Sequence, residues 1–421
     1  MSVQTQDKVQ AQDKAIPKKR NYRPLRSTEK LKKTIKTYYF LTGTHRYWGK
    51  PLGRKLAWVT SGAPVELLRV FNIHPAYPEQ YAAIYSTNKA TAQLCQVAEA
   101  VGYSQDLCSY ARSNIGGVLR PDLAPMGGMP KPDLLVACNN ICGTVLKWYE
   151  ALARHFNVPL LVLDTPYLTG EITEQALNYV LEQFKGMIKE LEKITGRSFS
   201  EEELKKQLDL SRATTGLWKE ARQYCQAQPS PLNAPDLFIH MAPIVVLRGT
   251  KKGRDYYEIF RDEVKERVSL GQGAIENERI RLVWDNIAIW PKLFNFNKMF
   301  TERGACFVTD TYSGGWAIDL APGSPLESLA VTYTEVFLNR SPEFRAQQLI
   351  QLIRDYKAHG FVMHSNRSCK PYSLVQEVIR RKVMKETGVP GLMIEADMAD
   401  PRAYAEETIR NRVQAFLETF D

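Results

Sequence analysis

Two of the seven cysteines follow apolar runs that have the length of buried strands. Cys142 follows the segment DLLVACNNI, and Cys369 follows the segment GFVMHSNRS. A helix-like pattern begins soon after each cysteine, so each thiol is expected near a helix N-terminus, where partial positive charge stabilises a thiolate. Because iron binds the thiolate form, both residues are candidate ligands of an iron-sulfur cluster.

The segments around these two cysteines repeat one pattern. The first copy is DLLVACNNICGTVLKWYEALARHFNVPLLVLD, and the second is GFVMHSNRSCKPYSLVQEVIRRKVMKETGVPGLMIEAD. In each copy an apolar strand ends in Asn, Cys is the third residue after it, an amphipathic helix follows, and a Val-Pro pair precedes the next strand. The repeat predicts that Cys142 and Cys369 occupy equivalent positions in two related halves, from which they converge on the cleft between the halves.

A third candidate ligand, Cys108, lies in DLCSYARSNIGG, where a loop meets a short predicted helix. Three cysteines would leave one iron of a four-iron cluster open to water or substrate, which is typical of a catalytic cluster. The alternative is that all three are buried core thiols, since free cysteine is among the most buried residue types. Spacing alone leaves both interpretations open.

The other four cysteines are predicted to be core residues. Cys95 and Cys225 lie at helical spacing among apolar residues, and Cys306 lies in the strand-like segment ACFVT. Cys138 forms a C-x3-C pair with Cys142 and is a possible extra ligand, although its position inside a strand favours the core.

Acid-base chemistry is predicted for the segment SGAPVELLRVFNIHPAYPEQ, which follows the first strand. It contains Ser61, Glu66 and Glu79 at the carboxyl end of a strand, where α/β folds place active-site groups. A carboxylate there can act as a proton donor or base. For Glu66 the alternative is a structural role at the start of a helix after Pro64.

Strand-like runs alternate with helical patterns, which predicts the α/β class with two doubly wound, Rossmann-like units and parallel sheets. The predicted strands are 55–60, 133–138 and 158–164 in the first unit and 281–284, 305–309, 360–364 and 389–397 in the second. The predicted organisation is a flexible basic arm (1–28) with order beginning near Leu31, a first unit (29–171), a helical insertion (172–235) and a second unit (236–421). The run Leu237–Leu247 is expected to begin the return into the second unit.

Composition excludes several classes of protein. Of 56 Lys and Arg and 46 Asp and Glu, residues 1–55 hold 15 and 3, so the remaining residues hold 41 and 43. The basic charge therefore belongs to the N-terminal arm, and nucleic-acid binding is not expected. No run reaches the roughly 18 apolar residues of a membrane span, and the N-terminus lacks the apolar core of a signal peptide, so a cytoplasmic protein is predicted.

Several segments resemble the family of 2-hydroxyacyl-CoA dehydratases and benzoyl-CoA reductases. They are WVTSGAPVELLRVFNIHPAYPE, DLCSYARSNIGG, NNICGTVLKWYE, PSPLNAPDLFIHMAPIVVLRGT, HSNRSCKPYSLVQ and GVPGLMIEADMADPRAYAEE. The resemblance implies one 4Fe-4S cluster per chain, bound by Cys108, Cys142 and Cys369. It also implies an enzyme subunit that acts on an acyl-CoA thioester with a related cluster-binding second subunit and an ATP-hydrolysing iron-sulfur activator protein, and this chain shows no nucleotide-binding motif.

The resemblance leaves the reaction open. The region from QPSPLNAPDLFIHMAPIVVLRGT through TDTYSGGWAIDLAPGSPLESLAVTYTEVF is similar to the larger cluster subunit of ATP-dependent benzoyl-CoA reductase, which adds single low-potential electrons to an aromatic thioester. HSNRSCKPYS is similar to the dehydratases, which eliminate water through a radical. The order of preference is the reductase, the dehydratase, then a double-cubane cluster protein. A non-catalytic electron-transfer subunit remains a further alternative, which Cys138 as a fourth ligand would favour.

Overall fold

The computed structural model describes residues 24–421 and contains eight strands in this range. The strands are β1 (Lys55–Val59), β2 (Ile73–Ala76), β3 (Leu134–Cys138), β4 (Leu160–Leu163), β5 (Ile280–Asp285), β6 (Ala305–Asp310), β7 (Gly360–Asn366) and β8 (Gly391–Ala396). They form two parallel sheets with the orders β2-β1-β3-β4 and β6-β5-β7-β8. The two orders are the same topology, so the prediction of two Rossmann-like α/β units is confirmed.

The helices cover both sheets and link them. They are α1 (Ser27–Gly43), α2 (His45–Trp48), α3 (Val65–Val70), α4 (Pro78–Thr87), α5 (Thr91–Ala100), α6 (Ser109–Leu119), α7 (Thr144–Phe156), α8 (Glu174–Thr195), α9 (Glu201–Gln223), α10 (Ala234–His240), α11 (Ala242–Leu247), α12 (Lys251–Ser269), α13 (Leu293–Thr301), α14 (Thr311–Gly314), α15 (Pro325–Thr334), α16 (Pro342–Asp355), α17 (Lys370–Ser373), α18 (Gln376–Thr387) and α19 (Glu406–Glu418). None of the helices in residues 24–421 is long and apolar enough to cross a lipid bilayer.

The strands of the first sheet are apolar because both faces are covered. Along β3, Leu134, Val136 and Cys138 pack into one core cluster, whereas Leu135 and Ala137 pack into another. Successive side chains of a strand point to opposite faces, so the two clusters lie on opposite sides of the sheet. Only the second of these clusters contains Cys369, which places the cleft between the units on that side.

The repeated segments have equivalent places in the two sheets. β3 and β7 are each the third strand in the sheet order. β3 lies between β1 and the edge strand β4, and β7 lies between β5 and the edge strand β8. The side-chain oxygen of Asn139 accepts a hydrogen bond from the backbone of Thr165, and that of Asn366 accepts one from Met398. Both donors lie two residues beyond the end of the neighbouring edge strand, so the same Asn joins the same pair of loops in each unit.

The helices of the repeat also end alike. Asn157 closes α7 and Gly388 closes α18, both in the left-handed conformation that commonly ends a helix. A Val-Pro pair follows each, and the residue after Pro159 or Pro390 begins the next strand. The local sequence thus determines, in both units, where the connecting helix ends and the next strand begins.

The predicted domain limits correspond to the following elements. Residues 1–23, which hold most of the predicted arm, lie outside the described residues, and α1 begins at Ser27. The predicted insertion, 172–235, contains α8 and α9. The run Leu237–Leu247 lies in α10 and α11, and α12 follows them, so helices continue to Ser269 before the second sheet begins at Ile280.

Candidate cluster site and adjoining cavity

Each of the three candidate ligands stands at the start of a helix. Cys108 is the residue before α6, Cys369 is the residue before α17, and Cys142 precedes Gly143, which caps α7. Backbone N–H groups in the first turn face the sulfur atoms: those of Ala111, Val145 and Tyr372 interact with Cys108, Cys142 and Cys369, respectively. The first turn of each helix thus directs backbone N–H groups towards the sulfur atom, which favours the thiolate.

The three thiols also interact with one another. Burial raises the pKa of Cys369 to about 12, and the nearby Cys142 contributes to the increase. Burial likewise raises the pKa of Cys108, with an added contribution from Cys369. Neighbouring thiols that disfavour each other's ionisation need a cation to become thiolates together, and metal binding provides one by displacing the protons.

The loops of Cys108 and Cys369 come from different units and are joined directly. The backbone N–H of Ser109 donates to Ser368 Oγ over 3.0 Å. Ser368 in turn donates to Asp397, which follows β8. The residues next to the two cysteines are therefore bonded to each other, which holds the thiols at the boundary between the units.

All three cysteines line one cavity of about 710 Å³, a size typical of small-molecule sites. Its walls are mostly apolar and aromatic, and include Trp148, Ile287 and Trp290. Ser61 and Glu79 line the same cavity. The structure therefore brings together five of the residues that the sequence analysis selected, in a space suited to a largely apolar ligand.

Glu79 is the titratable carboxyl group of this cavity. Ser61 donates to it twice, from its backbone N–H over 3.0 Å and from its hydroxyl over 3.0 Å. Burial raises the pKa of Glu79 to about 7, although the hydrogen bonds from Ser61 oppose the shift. A carboxyl group that titrates near neutral pH can both hold and release a proton under physiological conditions.

Glu66 lies elsewhere. It is fully buried, does not line the cavity, and pairs with Arg248 over 2.9 Å. Burial by itself raises the pKa of Glu66, but Arg248 and hydrogen bonds from Tyr333 and Ser211 outweigh it, and the pKa is lowered. The structure thus gives this residue an ion pair and not the solvent or substrate access of an acid-base group.

Cys138 is not brought to the cavity. It is fully buried on the face of β3 opposite Ala137, in a core cluster that contains none of the three candidate ligands. Cys225 and Cys306 belong to the same cluster. Cys95 is buried in α5 and also does not line the cavity.

Two cavity residues, Tyr77 and Arg248, had not been selected from the sequence. Tyr77 precedes Glu79 by two residues, so its closeness to a candidate acid was a usable signal. Arg248 directly follows α11, within the segment PSPLNAPDLFIHMAPIVVLRGT that carries part of the family resemblance, but the tertiary structure is what places it at the cavity.

The donors that the three candidate ligands supply are thiol sulfurs, the usual ligands of iron-sulfur clusters. One metal ion holds sulfur ligands at about 2.3 Å from a common centre. No group of three or more His, Cys, Asp or Glu residues with such an arrangement occurs in the part of the chain that the structure describes. Three mutually interacting thiols on the wall of a wide cavity, each facing backbone N–H groups, fit a polynuclear iron-sulfur group.

One contact holds the loop of Ser61 against the loop of Cys142. The amide of Asn140 donates to the backbone oxygen of Gly62 over 3.0 Å and to that of Tyr333 over 2.8 Å. A Cβ atom on Gly62 would overlap the side-chain oxygen of Asn140. The close approach of these loops therefore requires glycine at this position.

Gly62→Ala is accordingly expected to lower the free energy of unfolding by about 1–3 kcal/mol, the usual effect of overpacking, and to reduce iron content. The measurements are thermal unfolding and iron analysis under anaerobic conditions. Gly186→Ala in α8, where an added Cβ meets no atom within 4 Å, is the matched control. Gly186→Ala should keep its iron and be at least as stable as the parent, because alanine is favoured over glycine inside a helix. Iron content and stability equal to those of the parent in Gly62→Ala would show that the Asn140 contact does not position the site.

Comparison with known proteins gives consistent matches over nearly the whole chain. The family model described as 2-hydroxyglutaryl-CoA dehydratase, D-component, matches residues 60–420. The chain is 34% identical over 384 residues to (R)-2-hydroxyisocaproyl-CoA dehydratase alpha subunit of Clostridioides difficile, which covers 88% of this chain and 91% of that protein. It is 32% identical to lactoyl-CoA dehydratase subunit alpha of Anaerotignum propionicum, over 88% of this chain and 92% of that protein.

A protein with another activity also matches. A benzoyl-CoA reductase subunit of Thauera aromatica is 29% identical, over 91% of this chain and 92% of that protein. The residues matched by the family model include Ser61, Glu79 and the three cavity cysteines.

Proposed function

Because the chain belongs to the 2-hydroxyglutaryl-CoA dehydratase D-component family, we propose that it is the cluster-binding alpha-type subunit of a 2-hydroxyacyl-CoA dehydratase. The observation that carries the proposal is the convergence of Cys108, Cys142 and Cys369 with Ser61 and Glu79 on one largely apolar cavity. Identities of 34% and 32% to dehydratase subunits, against 29% to a reductase subunit, favour the dehydratase over the reductase that the sequence analysis ranked first.

In this proposal the three cysteines hold one 4Fe-4S cluster, since Cys138 faces the opposite core. When bound, such a cluster supplies single low-potential electrons, and with three cysteine ligands it leaves one iron open. The apolar walls exclude water from the acyl group. Glu79, oriented by Ser61, donates the proton that the departing hydroxyl oxygen needs to leave as water.

The proposal also includes other proteins. The related dehydratase chains are named as alpha subunits, so we infer a second subunit for this chain as well. Electrons for a low-potential cluster must come from a donor, and the family resemblance assigns that role to an ATP-hydrolysing activator. Benzoyl-CoA reduction stays as the second candidate, because the aromatic side chains Trp148, Trp290 and Phe337 on the cavity wall also suit a flat acyl group.

The test is turnover by the complete system. The chain should be purified anaerobically with its second subunit and activator, and supplied with ATP, a reductant and a panel of thioesters. We expect ATP-dependent conversion of a 2-hydroxyacyl-CoA to the 2-enoyl-CoA with loss of water. Reduction of benzoyl-CoA instead would select the second candidate, and failure of an iron-loaded complex to convert any thioester would contradict both.

A further inference from the structure

Two hydrogen-bond donors on the cavity wall, Nη1 of Arg248 and the hydroxyl of Tyr77, have no hydrogen-bond partner within residues 24–421. The two residues are only 3% and 1% exposed. Buried polar groups in native proteins are nearly always paired, and because both of these residues line the cavity, a ligand bound there can supply the missing acceptor.

The guanidinium of Arg248 is held firmly on its other sides. Its Nε donates to Glu66 over 2.9 Å, and its Nη2 donates to the hydroxyl of Tyr333 over 2.7 Å. Glu66 itself accepts hydrogen bonds from Tyr333 and from Ser211. With Nε and Nη2 occupied by the protein, Nη1 is the donor left for a ligand.

The charges behind this wall do not cancel. Glu66 balances Arg248, but the guanidinium of Arg69 is also within electrostatic range of both. Arg69 donates to the backbone oxygens of Arg248 and Val246, which are uncharged acceptors. Counting these three ionised side chains leaves one positive charge, which favours an oxygen that carries negative charge or strong negative polarisation.

Tyr77 connects this wall with the acid of the cavity. Its hydroxyl interacts electrostatically with both Arg248 and Glu79. Burial raises the pKa of Tyr77 to about 12, so the hydroxyl keeps its proton at neutral pH and can donate it in a hydrogen bond. The two unpaired donors thus lie on the side of the cavity where Glu79 is found.

We propose that Arg248 Nη1 and the Tyr77 hydroxyl form an acyl-oxygen subsite, which binds one negatively polarised oxygen of the acyl group of the thioester. This inference rests on the proposed function, because it takes an acyl-CoA as the ligand. Two kinds of oxygen share the required chemistry. One is at the reacting end, the thioester carbonyl or the 2-hydroxyl, and the other is a carboxylate at the far end of a dicarboxylic acyl chain.

Binding in the absence of turnover tests the subsite. The anaerobic complex without activator or ATP is titrated calorimetrically with three thioesters: an apolar 2-hydroxyacyl-CoA, the same acyl-CoA without the hydroxyl, and a 2-hydroxyacyl-CoA with a terminal carboxylate. We expect Tyr77→Phe to raise Kd about 3- to 10-fold and Arg248→Lys about 10- to 100-fold, as for loss of a neutral and a charged hydrogen bond. An equal increase in Kd for all three thioesters assigns the oxygen to the thioester carbonyl. An increase only for the two thioesters that carry the 2-hydroxyl assigns it to that hydroxyl. An increase only for the thioester with a terminal carboxylate assigns it to that carboxylate.

Tyr149→Phe is the matched control, because the Tyr149 hydroxyl is equally buried and unpaired but does not line the cavity. It should bind all three thioesters as the parent does. Tyr77→Phe keeps the test decisive even if Arg248→Lys fails to fold, since its lost hydroxyl bonds to no described residue. Unchanged Kd for every ligand in Tyr77→Phe would overturn the subsite, whereas a parent complex that binds no thioester would overturn the proposed function instead.

Discussion

Replacing any one of the three candidate cluster ligands by serine is expected to remove most of the iron and nearly all of the turnover. The variants are Cys108→Ser, Cys142→Ser and Cys369→Ser. The parent chain should contain about four iron and four sulfide, with charge-transfer absorbance that bleaches in air. A serine hydroxyl does not ionise at neutral pH, so the two remaining thiols, which already disfavour each other's ionisation, would have to hold the cluster. Iron and sulfide analysis with anaerobic absorbance spectra gives the result.

The matched controls are Cys138→Ser, Cys225→Ser and Cys306→Ser. These thiols are fully buried in one core cluster, and none of the three lines the cavity. We expect each variant to keep its iron at some cost in thermal stability, because a hydroxyl is buried in place of a thiol. Iron loss in Cys138→Ser, but not in the other two variants, would identify Cys138 as a fourth ligand and favour the electron-transfer alternative. Eight iron per parent chain would favour a double-cubane protein.

The pattern of apolar runs predicted seven of the eight strands, because a buried parallel strand has a short, uninterrupted run of apolar residues. The strand that it missed, β2, reads IHPA and contains Pro75 and His74. A proline is tolerated there because β2 pairs only with β1 and is an edge strand. Its place in the sheet depends on a tertiary contact that a four-residue segment does not encode.

The secondary structure of the segment before the second sheet could not be predicted from periodicity either. Leu237–Leu247 is apolar and short, which periodicity alone does not assign to helix or strand. Asn233 caps α10 through a reciprocal contact with Asp236, and this capping box was the available sign of a helix. The structure accordingly has helices where the return into the second unit was expected.

The site was predictable to the extent that it follows from the repeat. The Asn and Cys spacing places Cys142 and Cys369 after equivalent strands, because parallel strands of the same order end at the same edge of each sheet. Cys108 lies outside the repeat and was selected by its loop and by family resemblance. Arg248 lies in a segment that the family resemblance includes, but its place at the cavity depends on the packing of α11, which the spacing of residues does not predict.

Glu79→Gln is expected to lower turnover by about 100- to 10,000-fold while iron content and thioester binding remain near those of the parent, since removal of a positioned acid has this range of effect. The glutamine side chain keeps the size of the glutamate and can still accept hydrogen bonds from Ser61, but it holds no transferable proton. In the parent, donation requires the protonated carboxyl, so turnover should fall as pH rises through about 7. Glu190→Gln, on the exposed surface of α8, is the control and should keep the parent profile.

The pH dependence of stability is a second and independent test of the raised pKa of Glu79. Burial raises its pKa from 4.5 to about 7, so the folded chain binds more protons than the unfolded chain between these values. The contribution of Glu79 to the stability of the parent therefore decreases as pH rises through this window and stays lower above it. Glu79→Gln lacks this penalty, and its melting temperature should exceed that of the parent at pH 8 by more than at pH 5. A difference that does not change with pH would mean that Glu79 is already ionised in the folded protein, and its role as the proton donor would be wrong.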